Sequence, residues 1–279
     1  MPQVTVLMAT WNRAQMIRRA IESVQAQTFK DWELVIVDDG SSDNTKEVVE
    51  EWQKRIPPKD GQARIVFLSN DVNQGISKTY NKGLRAARGK YVAMIDDDDP
   101  WADEKKLEKQ VAFLEKNPEY VGCGAGVIVV DGSGKEMYRY FKPATDGEIR
   151  KYMLFSNPMA NSTTMFRREE AVATGLYDEG TRYSGDRDFW LKLGLRGKLC
   201  NFKEYFSYYT MTGGNTSIAR MRPHLKASLM IMKRYKGKYP HYYPALLLNT
   251  LQYWYSFLPE FIRRALHVSL ARLKRALVG

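Results

Sequence analysis

The run Asp96-Asp97-Asp98-Asp99 follows an apolar stretch, Tyr91-Val-Ala-Met-Ile95, and precedes Pro100-Trp101. Four like charges at the end of a buried strand repel one another. The usual remedy is a bound divalent cation, and hard carboxylate oxygens suit Mg²⁺, Mn²⁺ or Ca²⁺. A metal held this way at the mouth of a sheet most often serves phosphate groups. From the run alone, the alternative is a solvated acidic turn that binds nothing.

The first hundred residues, which end in this run, alternate strand and helix. Val4 to Ala9 is a near-continuous apolar strand, as a parallel sheet buried on both faces requires. Ile17, Ala20, Ile21 and Val24 recur at helical spacing. Glu33 to Val37 is a second strand, and Ser41-Ser42-Asp43 offers caps for a helix from about Asp43 to Arg55 that Pro57-Pro58 breaks. Ile65 to Leu68 is a third strand, Ser77 to Arg88 a third helix ended by Gly89, and Tyr91 to Ile95 a fourth strand. This order predicts a doubly wound α/β sheet with ligands at the carboxyl ends of its strands. The loops at Thr10-Trp11-Asn12-Arg13, Asp38-Asp39, Asn70-Asp71 and Asp96 to Asp99 then face one crevice. Neither a G-x-G-x-x-G fingerprint nor a G-x-x-x-x-G-K-[ST] loop is present, so a nucleotide must be held in another way.

Charge is unevenly placed. Residues 220–279 hold 12 lysines and arginines against the single acid Glu260, whereas residues 1–219 balance 31 basic against 31 acidic side chains. A uniformly basic nucleic-acid binder would not look like this, and no nucleic-acid partner is expected. His224, His241 and His267 all lie in the basic tail, which leaves a carboxylate as the most plausible general base of the neutral core. Cys123 and Cys200 are far apart in sequence and form no C-x-x-C pattern, which speaks against zinc and for a reducing compartment. The N-terminus reads as a strand rather than a signal peptide, and no run of about 18 apolar residues suggests a membrane span.

Beyond Leu107 the pattern changes. Val121 to Val130 reads as a strand, Asp131-Gly-Ser-Gly134 as a hairpin turn, and Asn161 to Arg167 as a further extended segment. Tyr183-Ser-Gly-Asp-Arg-Asp188 leads into a helical start at Phe189 to Leu193, with carboxylates at its N-terminus. This mixture predicts an α+β second half packed on the first.

Together V-T-V-L-M-A-T-W-N-R (4–13), the block from Ser23 to Asp43 with V-D-D-G-S-S-D, N-Q-G-I-S-K-T-Y-N-K-G-L-R-A-A-R-G-K-Y-V (73–92), D-D-D-D-P-W (96–101) and G-D-R-D-F-W-L-K-L (185–193) resemble glycosyltransferase family 2, over roughly residues 3–217. The resemblance implies the GT-A fold, a Rossmann-like doubly wound mixed sheet, and a metal-dependent inverting transfer from a nucleotide-sugar, with UDP expected. By it, Asp39 is the acid that meets the uracil ring, with Asp38 serving ribose or capping the turn. Thr10, Asn12, Arg13, Asn73, Gly75 and Asp97 complete the donor-binding set. Asp96 and Asp98 are the D-x-D acids; Asp98 ligates Mn²⁺ or Mg²⁺, Asp96 faces the metal, ribose or sugar, and Asp99 is the alternative ligand. Asp186 is the catalytic base. Gly185 stands where the family usually has Glu, which bears on acceptor choice. Thr210 stands where it tends to have Arg, leaving Arg220 or Arg222 as replacements. Gly213 to Ser217 resembles a loop that closes over the donor.

The expected organisation is a catalytic domain over 1–219, split into a nucleotide-sugar half (1–100) and an acceptor half (101–219), followed by a basic helical extension over 220–279. In that extension, Ile262, Leu266, Leu270, Leu273 and Leu277 share one face of a helix from Phe261 to Leu277, with Arg263, Arg264, His267, Lys274 and Arg275 on another. Such a helix is expected to lie on an anionic membrane surface. The expectation is a cytoplasmic protein, peripheral on the inner face of the plasma membrane, acting on a glycan or lipid-linked acceptor in cell-surface polysaccharide synthesis. A polyprenyl-phosphate glycosyltransferase and a non-catalytic nucleotide- or glycan-binding relative are the alternatives.

Overall fold

A computed structural model of the chain describes residues 1–58, 64–211 and 220–259. Its first half is built from β1 (Val4–Thr10), α1 (Ile17–Gln25), β2 (Trp32–Asp38), α2 (Thr45–Arg55), β3 (Ile65–Ser69), α3 (Ile76–Ala86) and β4 (Tyr91–Asp96). These four strands run parallel in the order β3-β2-β1-β4. Successive strand residues point to opposite faces, and the sequence supplies both faces with apolar side chains. Val4, Val6 and Met8 join Leu34, Ile36, Ala93 and Ile95 against Ile17, Ile21 and Val24 of α1 and Val48, Val49 and Trp52 of α2. Leu7 and Ala9 join Val35, Val37, Val92 and Met94 on the other face, against Tyr80 and Leu84 of α3. The doubly wound expectation holds, with one core on each side of the sheet.

The second half extends the sheet. It comprises α4 (Lys106–Lys116), β5 (Tyr120–Asp131), β6 (Glu136–Tyr140), α5 (Asp146–Tyr152), β7 (Met165–Arg167), α6 (Arg168–Ala173), α7 (Gly185–Gly194) and β8 (Lys198–Met211). Three-residue β7 lies antiparallel between β4 and β5 and joins the two halves. One edge of β5 takes β7 near its start and β6 further on; the other takes β8, in parallel. The hairpin turn after β5 forms as expected, with Asp131 Oδ1 accepting from Ser133 N and Lys135 N. Cys123 and Cys200, distant in sequence, are register partners on β5 and β8, and both are free thiols.

Two expectations are corrected. Asn161–Arg167 is not one extended segment: Asn161–Thr163 is a turn of 3-10 helix, in which the Thr163 and Thr164 hydroxyls donate back to the carbonyls of Ala160 and Asn161. Such local side-chain bonds compete with an extended ladder. The third helix ends at Ala86 rather than Arg88, because Ala87 is extended and Arg88 N and Gly89 N turn to the Thr5 hydroxyl.

After β8, α8 (Met221–Lys233) and α9 (Tyr242–Tyr255) pack on the core side that holds α7, burying Ile231, Met232, Ala245 and Leu248. Tyr235 and Tyr239 reach α7, where their hydroxyls bond Asp188 and the Leu191 carbonyl. Among the described residues no helix is long and apolar enough to cross a membrane. The helix expected from Phe261 to Leu277 and the loop at Gly213 to Ser217 lie outside the described residues.

Candidate active site

The carboxyl ends of β1, β2 and β4 meet at one place because the strands are adjacent and parallel. Side chains and backbone stitch the loops together. Asn12, at φ 54°, donates its amide to Ser41 Oγ and accepts from Ser42 N, both at 2.8 Å. The carbonyl of buried Thr10 accepts from Asp39 N at 2.9 Å. Asp38 takes the capping option, with both oxygens accepting from Ser41 N at 3.2 Å. Asp39 is buried and accepts three hydrogen bonds at 2.9 Å, from Asn70 Nδ2, Gln74 N and Gly75 N. It thereby draws the N-Q-G loop, with exposed Asn73 and with Gly75 at φ 91°, to the β2 end.

The four aspartates have four different surroundings. Asp96 accepts from three neutral donors, Tyr80 OH at 2.7 Å, Asn161 Nδ2 at 2.8 Å and Ser162 Oγ at 2.9 Å. Asp97 is buried, and burial together with the neighbouring Asp98 charge pushes its carboxyl up to about 7. Asp98 pairs with Arg13 at 3.2 Å and keeps a side chain 20% exposed. Asp99 turns inward, accepting from Thr210 N at 3.0 Å; burial and the charges of Asp96 and Asp98 hold it well above the usual carboxylate range. The turn is anchored on three sides: Trp101 N donates to Ser23 Oγ, Trp101 Nε1 to the Ser162 carbonyl, and Thr210 Oγ1 to the Asp98 carbonyl.

Asp186 lies in the first turn of α7, half-buried, and its Oδ2 accepts from Asn157 Nδ2 at 2.7 Å. Asn157 and Asn161 belong to one short stretch, so a single segment donates to both Asp186 and Asp96. Tyr80, which bonds Asp96, packs against Tyr177. Their rings lie 5.2 Å apart, and burial first, then the charges of Asp186 and Asp96, raise the Tyr177 phenol.

Among the described residues no three His, Cys, Asp or Glu side chains converge as a ready-made metal cage. Asp98, partly exposed and bonded to a cation rather than to neutral donors, suits the other common arrangement. There one or two carboxylates hold Mg²⁺ or Mn²⁺ that is completed by phosphate oxygens and water.

Several members of this constellation carry no signal in the sequence. Tyr80 lies inside the N-Q-G-I-S-K-T-Y block, which gives it no role of its own. Asn157 lies in an irregular stretch, and Asn161 and Ser162 fall in the segment read as extended. Thr210 stands out only as a departure from the family pattern.

The comparisons agree with this architecture. The model of glycosyl transferase family 2 matches residues 5–174. The amylovoran biosynthesis glycosyltransferase AmsE of Erwinia amylovora is 30% identical over 192 residues, 68% of each chain. The structure of S. aureus TarS 1–349 in complex with UDP-GlcNAc matches with a TM-score of 0.67 at 18% identity, covering 91% of this chain and 73% of that one. The mannosyltransferase PcManGT of Pyrobaculum calidifontis, in complex with GDP-Man and Mn²⁺, matches with a TM-score of 0.66 at 17% identity, covering 99% and 83%. At those identities the two structures speak for the fold, which is of the GT-A type. With the family model spanning most of the chain, including the loops after β1, β2, β3 and β4, the protein belongs to glycosyl transferase family 2 and is a glycosyltransferase.

Proposed function

We propose that the protein transfers a sugar, with inversion, from a UDP-sugar to a hydroxyl of a glycan or lipid-linked acceptor, with Mn²⁺ or Mg²⁺ bound, in the building of a cell-surface polysaccharide. The observation that carries this reading is the segment from Asn157 to Ser162, which touches Asp96 on the donor side and Asp186 on the acceptor side. TarS, with UDP-GlcNAc, and PcManGT, with GDP-Man and Mn²⁺, support a nucleotide-sugar donor and a divalent cation.

In this reading Asp39 orients the base of the nucleotide, while Thr10, Asn12, Asp38, Asn73 and Gly75 shape its cleft. Arg13, Asp96 and Asp97 line the path to the diphosphate and sugar. Asp98 is the main metal ligand, because Asp96 and Asp99 already spend oxygens on neutral donors. When bound, the metal neutralises charge growing on the leaving diphosphate. Asp186 takes the proton of the acceptor hydroxyl as its oxygen bonds the anomeric carbon and the bond to the diphosphate breaks. Such general-base help is worth roughly 10²–10⁴-fold. Asn157 holds one Asp186 oxygen and so aims the other at the acceptor.

The basic tail is proposed to keep the protein at an anionic membrane surface. Its charge balance supports this, as does the exposed row of Tyr243, Leu247, Leu251, Trp254 and Phe257 along and just past α9. Retention on vesicles containing anionic lipid, lost in high salt, is the expected result.

Calorimetric titration of UDP and GDP, with Mn²⁺ and then with EDTA, tests the donor. Binding of UDP that requires metal supports the reading. Metal-dependent preference for GDP moves the donor class, and binding of neither nucleotide removes the catalytic reading.

A further inference from the structure

The turn that presents Asp186 is built against local preference. Ser184 is the N-cap of α7, a position where a serine hydroxyl normally accepts from the first backbone amides of its own helix. Here Ser184 is left-handed, at φ 57° and ψ 26°, and its side chain makes no such bond. A left-handed non-glycine residue is strained, and a helix without its cap leaves a backbone amide without that partner. Something outside α7 must hold the turn.

That partner is α8. Ser184 Oγ lies 3.3 Å from His224 Nδ1 and donates to the His224 carbonyl at 3.3 Å, while Ser228 Oγ donates to Ser184 Oγ at 3.2 Å. A hydroxyl has one proton and two lone pairs. The three contacts are all satisfied when the imidazole carries its proton on Nδ1. The Tyr183 ring covers His224 at 4.9 Å, and His224 Nε2 is buried without a hydrogen-bond partner. Burial favours the neutral imidazole, against the pull of the Asp186 charge. The next residue of the turn packs close to α3: a Cβ on Gly185 would lie 2.6 Å from Ser77 Oγ.

We infer that His224 is a positioning residue, which clamps Ser184 against α3 and so fixes where α7 presents Asp186. The tail helix α8 is thus part of the acceptor-side machinery. The consequence for transfer rests on Asp186 being the base; the clamp itself does not.

Two readouts on the full chain separate these. Amide exchange of the peptide spanning residues 183–190, followed by mass spectrometry, reads the clamp. Transfer kinetics with the donor found by titration read its effect on catalysis. His224→Ala is expected to speed exchange and to lower kcat by about tenfold, about 1.4 kcal/mol of barrier, with donor KM and UDP affinity unchanged. His224→Asn, whose amide sits where Nδ1 was, restores both; His224→Gln, whose amide sits where Nε2 was, does not. Wild-type exchange and kcat in His224→Ala overturn the inference, as does rescue by Gln equal to that by Asn. Faster exchange beside a wild type that transfers nothing supports the clamp and defeats the base reading. Should His224→Ala fail to fold, His224→Gln keeps a polar side chain but not the Nδ1 position, and wild-type exchange there overturns the inference.

Discussion

Arg13 and Asp98 face each other at 3.2 Å, one on the loop after β1 and the other in the acidic run after β4. The guanidinium neutralises the aspartate that the proposed function gives to the metal. Asp98→Ala is therefore expected to weaken Mn²⁺-dependent UDP binding by at least about tenfold, while binding in EDTA changes little. Titration of both forms in the two buffers checks this, and equal metal dependence would reassign the ligand.

Asp186→Asn keeps the size of the side chain and removes its basicity. Transfer should fall by about 10²–10⁴-fold, with UDP affinity intact. Asn157→Ala frees the Asp186 carboxylate without removing it, and a smaller fall in kcat is expected. Release of UDP in the presence of acceptor measures both. A normal rate in Asp186→Asn would take the base role from that residue.

The first half was legible because parallel strands buried on both faces declare themselves as apolar runs, and short helices between them point to a doubly wound sheet. Once strand ends were placed, Asp39, Asp96 and Asp98 fell at the crevice by the rule of the fold. The second half resisted for physical reasons. β7 is too short to show a period, yet it joins β4 to β5. β8 pairs with β5 across most of its length through contacts that only the fold creates. Asn157 and His224 act through tertiary position alone. Nothing in their neighbours' spacing links them to Asp186.

Gly89 is fixed by backbone rather than side chains. An added Cβ would lie 2.4 Å from Thr5 N, 2.7 Å from the Val4 carbonyl carbon and 2.8 Å from the Tyr91 carbonyl oxygen. None of these can rotate away, so Gly89→Ala should destabilise by about 3 kcal/mol. Denaturant unfolding at constant m-value checks the figure.

Lys106 is fully buried, bonded to Gln110 Oε1 at 2.8 Å and set 4.0 Å above the Trp101 ring. Burial lowers its ammonium to about 7 from an ordinary 10.5. The unfolded chain then binds more protons than the folded one across that interval, so this group makes stability rise with pH from about 7 to about 10.5. Lys106→Met should raise stability at neutral pH and flatten this part of the curve. A chemical-denaturation series across pH measures it, and an unchanged slope would mean the amine is solvated in the fold.

Asn157 and Asn161 hang from one short stretch of chain, so Asp186 and Asp96 share a mechanical support. Two substrates that each lean on one of these carboxylates are not independent of each other. Under the proposed function, a nucleotide-sugar seated at Asp96 would steady the arm that holds Asp186 before the acceptor arrives. The expected kinetic expression of that shared support is an ordered mechanism, donor first and acceptor second.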